Sequence, residues 1–267
     1  MIHPTAIIHP AAHLDPTVSI GPYAVIDENV VVGPGCRIGP HVHLTGRTTI
    51  GANNWFHSGC VIGDAPQDLK YRGEPTRLRI GDDNVFREHV TVHRSTNEAE
   101  ETKVGARNYL MALSHVGHNV QVGDQVIIAN GAMLGGHSVV QDRAFISGNC
   151  LVHQWVRVGT LALMQGGSAI SKDLPPFCVA RGDNGICGLN VVGLRRAGFT
   201  SQQRAELQRL YHALFRSGQR LSAALEAAQA EFRGEHTGVL IEFVAASRRG
   251  VCRDTGQTTG AESGSAE

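Results

Sequence analysis

Histidines cluster in the middle of the chain at spacings suited to proton transfer. His115 and His118 lie in the segment SHVGHN, His137 follows a glycine pair, and His153 precedes Gln154. A free imidazole has a pKa of about 6.5, so it exchanges protons at neutral pH, and a bare glycine backbone can offer an amide N–H to an oxyanion. These residue types predict an acid–base site with an amide donor, provided that the fold brings the segments together.

A hydrophobic spacing of six residues organises most of the chain and must position these groups. An aliphatic or aromatic residue returns at every sixth position from Ile2 to Ile62, again over 80–92, and from Val104 to Ile170. A period of six is neither that of a helix nor a simple alternation, so it predicts a coil that turns a corner once per repeat.

A second inward row is expected four residues after each member of the first, because side chains alternate along an extended strand. Small or β-branched residues fill it, among them Cys36, Cys60 and Cys150, which we therefore expect to be packing residues. Glycine often follows the large inward residue, where we expect it to serve the corner. None of the twelve coil histidines occupies either row, so all should lie on the outer surface or at corners.

The aliphatic-Gly-x4 repeat resembles that of the hexapeptide acyltransferases. Their fold is a left-handed parallel β-helix of triangular section with 18 residues per turn, so the resemblance implies a mainly β protein of that class. With this turn, His118, Gly136 and Gln154 stack in one vertical strip because they are 18 residues apart.

The breaks in the period suggest the domain organisation. We expect a β-helix over 1–173 with polar loops inserted at 63–79 and 93–103, a small helical domain over 174–250, and a disordered tail over 251–267. Helices are predicted over three stretches of the second domain, the first with a Thr200 cap and Gln203 three residues later: 200–218, 220–232 and 237–248.

Several separated motifs together resemble the acyl carrier protein-dependent UDP-N-acetylglucosamine O-acyltransferases of lipid A biosynthesis. They are QDLKYRGEPTR (67–77), VTVHR (90–94), the paired His115 and His118, GGH (135–137), VHQ (152–154), the glycine pair 166–167, DLPPF (173–177) and GLNVVGLRRAGF (188–199). The resemblance implies a homotrimer that transfers a (3R)-3-hydroxyacyl group from acyl carrier protein to the 3-position of UDP-N-acetylglucosamine, without a cofactor or metal. His118 matches the general base of the family, and the amide of Gly136 matches the oxyanion contact.

The same resemblance assigns substrate-binding roles. Gln67, Asp68 and Lys70 match the loop that holds the sugar nucleotide and reaches a neighbouring subunit. Asn190 and Arg196 match residues that face the UDP portion. Gly166 matches the end of the acyl groove, where a missing side chain implies a long acyl donor. The remaining matches lie along the sugar and acyl groove: His115, His137, His153 and Gln154.

Three departures from the family pattern keep alternatives open. Asn119 follows His118 where an Asp is usual, Val192 replaces a Glu that contacts the nucleoside, and Ala197 replaces a second Arg. A UDP-linked 3-amino sugar is therefore an alternative acceptor. A zinc site of the gamma-carbonic anhydrase type, using His93, His115 and His118, and a nonenzymatic scaffold are less favoured alternatives.

Composition excludes several other classes of function. Lys plus Arg equals Asp plus Glu at 24 each, so nothing favours nucleic acid as a partner. No secretory signal pattern opens the chain and no apolar run of about 18 residues occurs, so we expect a cytoplasmic protein without an integral membrane segment.

Overall fold

The computed structural model of the protein describes residues 1–256. Short strands separated by tight corners occupy most of this length. In chain order, β1 to β28 are Ile7–Ile8, His13–Leu14, Ser19–Ile20, Val25–Ile26, Val30–Val32, Arg37–Ile38, His43–Leu44, Arg47–Ile50, Trp55–Phe56, Val61–Asp64, Arg77–Ile80, Val85–Phe86, Thr91–His93, Glu101–Val104, Tyr109–Leu110, His115–Val116, Gln121–Val122, Ile127–Ile128, Met133–Leu134, Val139–Val140, Phe145–Ile146, Leu151–Val152, Arg157–Val158, Leu163–Met164, Ala169–Ile170, Cys178–Arg181, Gly185–Leu189 and Arg253–Asp254.

The strands form three sheets that make the sides of a prism. The first sheet runs from β1 through every third strand to β25, the second from β2 to β23, and the third from β3 to β24 and on to β26, β27 and β28. Pairing within the coil is parallel, and partners such as His115 and Met133 are 18 residues apart. Each turn of the parallel β-helix therefore adds one strand to each sheet.

The two inward rows form the core of the coil as the period predicts. Val116, Leu134 and Ile146 of the large row are fully buried, and so are small-row residues such as Ala132. Cys36, Cys60 and Cys150 are buried, unpaired and packed in the same cluster, which confirms their predicted packing role.

The glycines that follow the large inward residues lie where a Cβ would not fit, as expected, but apart from Gly63 they do not hold the left-handed backbone of the corner. The left-handed backbone lies three residues after the large inward residue, and nonglycine residues hold it at many corners, including Asn119 and His137 with φ of 59° each. The glycine directly after the large residue instead allows turns to approach. A Cβ on Gly135 would lie 2.8 Å from the backbone nitrogen of Gln154 in the next turn.

Both inserted loops are shorter than predicted because strand pairing continues into them. β10 pairs with β13 and β11 with β14, which leaves 65–76 and 94–100 as the loops in place of 63–79 and 93–103.

A ladder of three buried asparagines spans these insertions inside the coil. The Asn54 side-chain oxygen accepts hydrogen bonds from the backbone and side-chain N–H groups of Asn84, and the Asn84 oxygen accepts one from the backbone of Asn108. The steps along this ladder are 30 and 24 residues, because each loop adds to the 18-residue turn. The coil thus resumes its register after each loop.

The C-terminal domain contains four helices within the described residues. Their bounds are Val191–Arg196 (α1), Ser201–Phe215 (α2), Leu221–Glu231 (α3) and Glu235–Ala245 (α4). Thr200 and Gln203 form the predicted capping box at the start of α2. A hairpin of β26 and β27, which sequence reasoning missed, precedes the helices and extends the third sheet.

The predicted tail begins too early. Val251 and Cys252 are buried, and β28 pairs with β27, because the Tyr211 hydroxyl and the Arg216 guanidinium both donate to Asp254. Residues 257–267 of that prediction lie outside the described residues.

A buried ion pair joins the coil to the helical domain. Arg157 of β23 donates through Nε and a terminal nitrogen to the carboxylate of Asp173, at 2.9 and 2.8 Å. The Asp173 side chain is 2% exposed, and it also accepts a hydrogen bond from Ser247 just after α4. The Arg157 guanidinium packs over the Phe243 ring. This contact fixes α4 against the last turns of the coil.

Candidate functional site

The corner between the first and second sheets carries the strip that the 18-residue spacing predicts. The backbone N–H of His137 donates to the carbonyl of His118, and that of Trp155 donates to the carbonyl of Gly136, one turn further along. A cavity of about 560 Å³ opens beside this corner, and its lining includes His118, Gly136 and Gln154.

The His118 ring lies directly over the backbone of Gly136. A Cβ built on Gly136 would be 2.5 Å from Nε2 of His118, so only glycine fits beneath this ring. Gly136 is buried, and its amide N–H makes no hydrogen bond to any residue in 1–256. A nitrogen of an imidazole and an unpaired amide donor therefore face the same end of the cavity.

Asn119 holds the other nitrogen of the His118 ring. Nδ1 of His118 lies 2.9 Å from the side-chain oxygen of Asn119. His118 is only 7% exposed, and the nearby His93 of β13 is 6% exposed. Both histidines lie outside the two inward rows, as predicted, but they are buried there, which the repeat pattern did not indicate.

Three more imidazoles surround His118, and burial favours their neutral forms. Burial, together with the neighbouring His93 and His118 rings, lowers the pKa of His115 to about 4. Burial also lowers the pKa values of His93 and His137. These rings therefore add no positive charge beside His118 at neutral pH.

Hydrogen bonding and stacking fix two of these rings and leave a nitrogen of the third free. Thr91 contacts Nδ1 of His115 at 2.7 Å, and His137 stacks on Trp155 with ring centres 3.8 Å apart. Nδ1 of His93 is buried without a partner among the described residues.

The floor of the cavity is apolar and follows the first sheet. Outward side chains stand in register on successive strands, from His115 to Met133, Leu151 and Ala169. Neighbouring strands are about 4.8 Å apart, so these three steps cover roughly 14 Å. Met133 and Leu151 are each 49% exposed. His153 borders the same cavity.

The first loop, 65–76, reaches the cavity through Gln67. Gln67 lines it, while Asp68 and Lys70 are on the adjoining turn, where the Asp68 carboxylate accepts the backbone N–H of Lys70. Arg94 holds this loop by donating to the carbonyl of Gly63 and to the hydroxyl of Tyr71.

Gly166, Asn190 and Arg196 are not brought to this cavity within one chain. Gly166 is exposed at the corner between the third and first sheets. Asn190 caps α1, with its oxygen accepting from Gly193 and its amide donating to Leu161. Arg196 is exposed in the last turn of α1.

Sequence reasoning missed several residues of the site. The apolar floor occupies the position just before each large inward residue, and applying the 18-residue step to that position would have found it. Arg94, Glu100 and Trp155 act through loop or corner conformation, for which the sequence offers no comparable signal.

Neither a metal site nor a membrane-spanning helix is found in the described residues. No three His, Cys, Asp or Glu side chains in 1–256 are grouped so that they could hold a metal ion. Over the same range, every helix is too short or too polar to cross a membrane.

Comparison with known proteins identifies relatives along the whole coil and helical domain. The bacterial transferase hexapeptide family (six repeats) matches residues 11–46 and 101–136, and domain 2 of UDP N-acetylglucosamine O-acyltransferase matches residues 173–252. The acyl-acyl-carrier-protein–UDP-N-acetylglucosamine O-acyltransferase of Syntrophobacter fumaroxidans is 45% identical over 256 residues, covering 94% of this chain and 99% of that protein.

Solved structures agree in fold. The UDP-N-acetylglucosamine acyltransferase of Francisella novicida has a TM-score of 0.92 at 34% identity, covering 96% of this chain and 95% of that one. The Arabidopsis UDP-N-acetylglucosamine acyltransferase has a TM-score of 0.84 at 31% identity, covering 95% of this chain and 100% of that one. The fold is the predicted left-handed parallel β-helix with C-terminal helices. As its motifs predicted, the chain belongs to the acyl-acyl-carrier-protein–UDP-N-acetylglucosamine O-acyltransferase family.

Proposed function

We propose that this protein transfers a (3R)-3-hydroxyacyl group from acyl carrier protein to the 3-hydroxyl of UDP-N-acetylglucosamine, the first step of lipid A biosynthesis. Family membership supports the reaction class. The observation that carries the proposal is the His118 ring lying over the bare amide of Gly136 at the end of a long apolar cavity. A base and an oxyanion donor one coil turn apart are what acyl transfer to an alcohol requires.

His118 acts as the general base in this mechanism. Because its Nδ1–H donates to Asn119, its Nε2 lone pair is free to take the proton of the sugar hydroxyl. The hydroxyl oxygen attacks the thioester carbon, and the Gly136 N–H donates to the oxyanion that forms. When the C–S bond breaks, the thiolate of acyl carrier protein leaves and receives the proton from the imidazolium.

The apolar floor supports a long acyl donor. Met133, Leu151 and Ala169 provide outward apolar contacts below the catalytic corner. Gly166 is assigned the end of the groove, and a Cβ there would be 3.6 Å from its nearest atom, the Gly148 carbonyl oxygen. A Cβ at this exposed corner therefore makes only an ordinary contact within the chain, so we expect Gly166→Met to keep the fold and to shift donor preference to shorter chains, measured with acyl carrier proteins of graded chain length.

A homotrimer completes the site in this proposal. Outward residues of the first and third sheets include exposed apolar side chains such as Met133 and Trp55, whereas the second sheet carries Arg79 and Lys103. Burying two apolar faces against neighbouring copies suits a closed ring of three.

Such an assembly can bring residues from other edges of the prism to the cavity of a neighbour. Gly166, Asn190 and Arg196 are the residues assigned this role, with Asp68 and Lys70 reaching in from the first loop. His115, His137, His153 and Gln154 line the sugar and acyl groove. We place the reaction in the cytoplasm, where acyl carrier protein and the sugar nucleotide are both available.

The decisive experiment is an acyl-transfer assay with purified protein, 3-hydroxyacyl carrier proteins of several lengths and UDP-N-acetylglucosamine. Wild type should transfer the acyl group, and His118→Ala should lose about 100-fold or more in kcat. Absence of transfer by wild type, or full activity of His118→Ala, refutes the proposal. The same assay with a UDP-linked 3-amino sugar tests the alternative acceptor, which Val192 and Ala197, in place of a Glu and an Arg, leave open.

A further inference from the structure

The carboxylate of Glu100 is linked to His118 through one intervening side chain, that of Asn119. The Asn119 oxygen faces Nδ1 of His118 and also accepts hydrogen bonds from the backbone N–H and the hydroxyl of Thr96, both at 3.0 Å. A backbone N–H can only donate, so the Asn119 amide cannot be flipped without losing this bond. Its oxygen therefore requires a proton on Nδ1 of His118.

The amide nitrogen of Asn119 points away from the histidine to Glu100. This nitrogen lies 2.5 Å from Oε2 of Glu100, a charge-assisted contact. The order of groups is thus imidazole, neutral amide, carboxylate. Glu100 Oε2 is also 3.7 Å from Nδ1 of His137.

The second loop is built to hold Glu100 in this place. The Glu100 backbone N–H donates to the Asn97 side chain, and its carbonyl accepts from the buried Ser95 hydroxyl. On the other side, the backbone N–H of Asn119 donates to the buried Thr102 hydroxyl. Both partners of the contact are therefore fixed through their backbones.

We infer that Glu100 is a positioning residue for His118 and acts through Asn119. Its negative charge polarises the amide, so the Asn119 oxygen becomes a stronger acceptor for the Nδ1–H of His118 when the ring gains a proton from the substrate. An amide alone offers less stabilisation to an imidazolium than a carboxylate, and Glu100 supplies the missing charge from the next loop. The inference rests on the proposed function, since it concerns the base of that reaction.

Glu100→Gln tests this role because it removes the charge at nearly constant shape. We expect kcat to fall roughly tenfold with little change in KM, because a hydrogen bond to a charged group is replaced by a neutral one. Glu98→Gln is the matched control: it makes the same charge change in the same exposed loop, and the Glu98 carboxylate makes no hydrogen bond or ion pair with a residue in 1–256. Its kcat should stay within about twofold of wild type.

In the Asn119→Asp variant, we expect Glu100→Gln to have the opposite effect on kcat. The introduced carboxylate would accept directly from His118 but would face the carboxylate of Glu100, so Glu100→Gln should raise kcat there by supplying a donor amide. A structural role for Glu100 predicts the same loss in both backgrounds. Equal effects in the two backgrounds, or unchanged kcat of Glu100→Gln in wild type, would overturn the inference.

Two controls separate failure of this inference from failure of the proposed function. Turnover by the wild-type protein tests the proposed function. Absence of turnover would refute both the proposed function and the role of Glu100. Nitrogen-15 shifts of the His118 ring report its tautomer without any substrate; a proton on Nε2 in place of Nδ1 would overturn the arrangement even in an active enzyme.

Discussion

Replacing Gly136 by alanine tests the stacked arrangement of the site directly. The added Cβ would lie 2.5 Å from Nε2 of His118. Ordinary carbon contacts are about 3.5 Å or longer, so the ring must move by about 1 Å. A displacement of that size costs about 100-fold in rate where a catalytic group must be aligned, and we expect kcat of Gly136→Ala to fall by at least that factor.

The loss should come from displacement of the base, because the alanine backbone keeps its amide N–H. Overpacking at this site should cost about 1–3 kcal/mol in free energy of unfolding, so the variant remains folded at 25 °C. Steady-state acyl transfer gives kcat, and urea denaturation gives the stability.

Gly238→Ala is the control for the chemical change itself. Apart from the surrounding backbone of α4, no atom lies within 4 Å of a Cβ built on this glycine, so activity should be unchanged and stability should rise by up to about 1 kcal/mol. If Gly136→Ala keeps activity within threefold of Gly238→Ala, the proposed stacking of base over amide is incorrect.

Further predictions concern stability and reactivity. Arg157→Met should lower the free energy of unfolding by about 3 kcal/mol, measured by denaturant titration, because it leaves the Asp173 carboxylate buried without its charge partner. The pKa of His115 is lowered to about 4, so the unfolded chain takes up its proton first. His115 should therefore lower stability by on the order of 2 kcal/mol between pH 6.5 and 4, and His115→Asn should reduce the pH dependence in pH-resolved melts by that amount, leaving the part due to His93 and His137. Burial raises the pKa of the Cys60 and Cys252 thiols to about 12, so maleimide at pH 7.5 should label them only after denaturation, as mass spectrometry would detect.

The period of six was sufficient to predict the coil and its two inward rows, and the 18-residue turn implied by the family resemblance then placed His118 over Gly136. In a coil with a fixed number of residues per turn, the number of residues between two positions determines where they lie relative to each other. The period gave no information on how deeply His93 and His118 are buried outside the two inward rows. The position of a residue within the six-residue repeat shows only whether its side chain points into the coil. The loops have no such repeat, so the sequence does not show which residues they cover.

The hairpin of β26 and β27 was hidden for a different reason. Its short strands pair antiparallel, and the pattern of the coil does not continue through them. The turn residues Gly182, Asp183 and Asn184 between two apolar runs were the available signal. The link from Asn119 to Glu100 had no such signal, because it depends on the path of the second loop.

The asparagine ladder distinguishes segments whose residue number is fixed by strand pairing from the inserted loops. Within the sheets, the number of residues per strand is fixed. Removing one residue would exchange inward and outward side chains for the rest of that strand. Between Asn54, Asn84 and Asn108, the residues added to the 18-residue turn lie in the loops 65–76 and 94–100, and the buried amides hold the coil in register on either side of each loop. Asp68 and Glu100 lie in these loops, so we expect a change in loop length to move either carboxylate while the coil keeps its register.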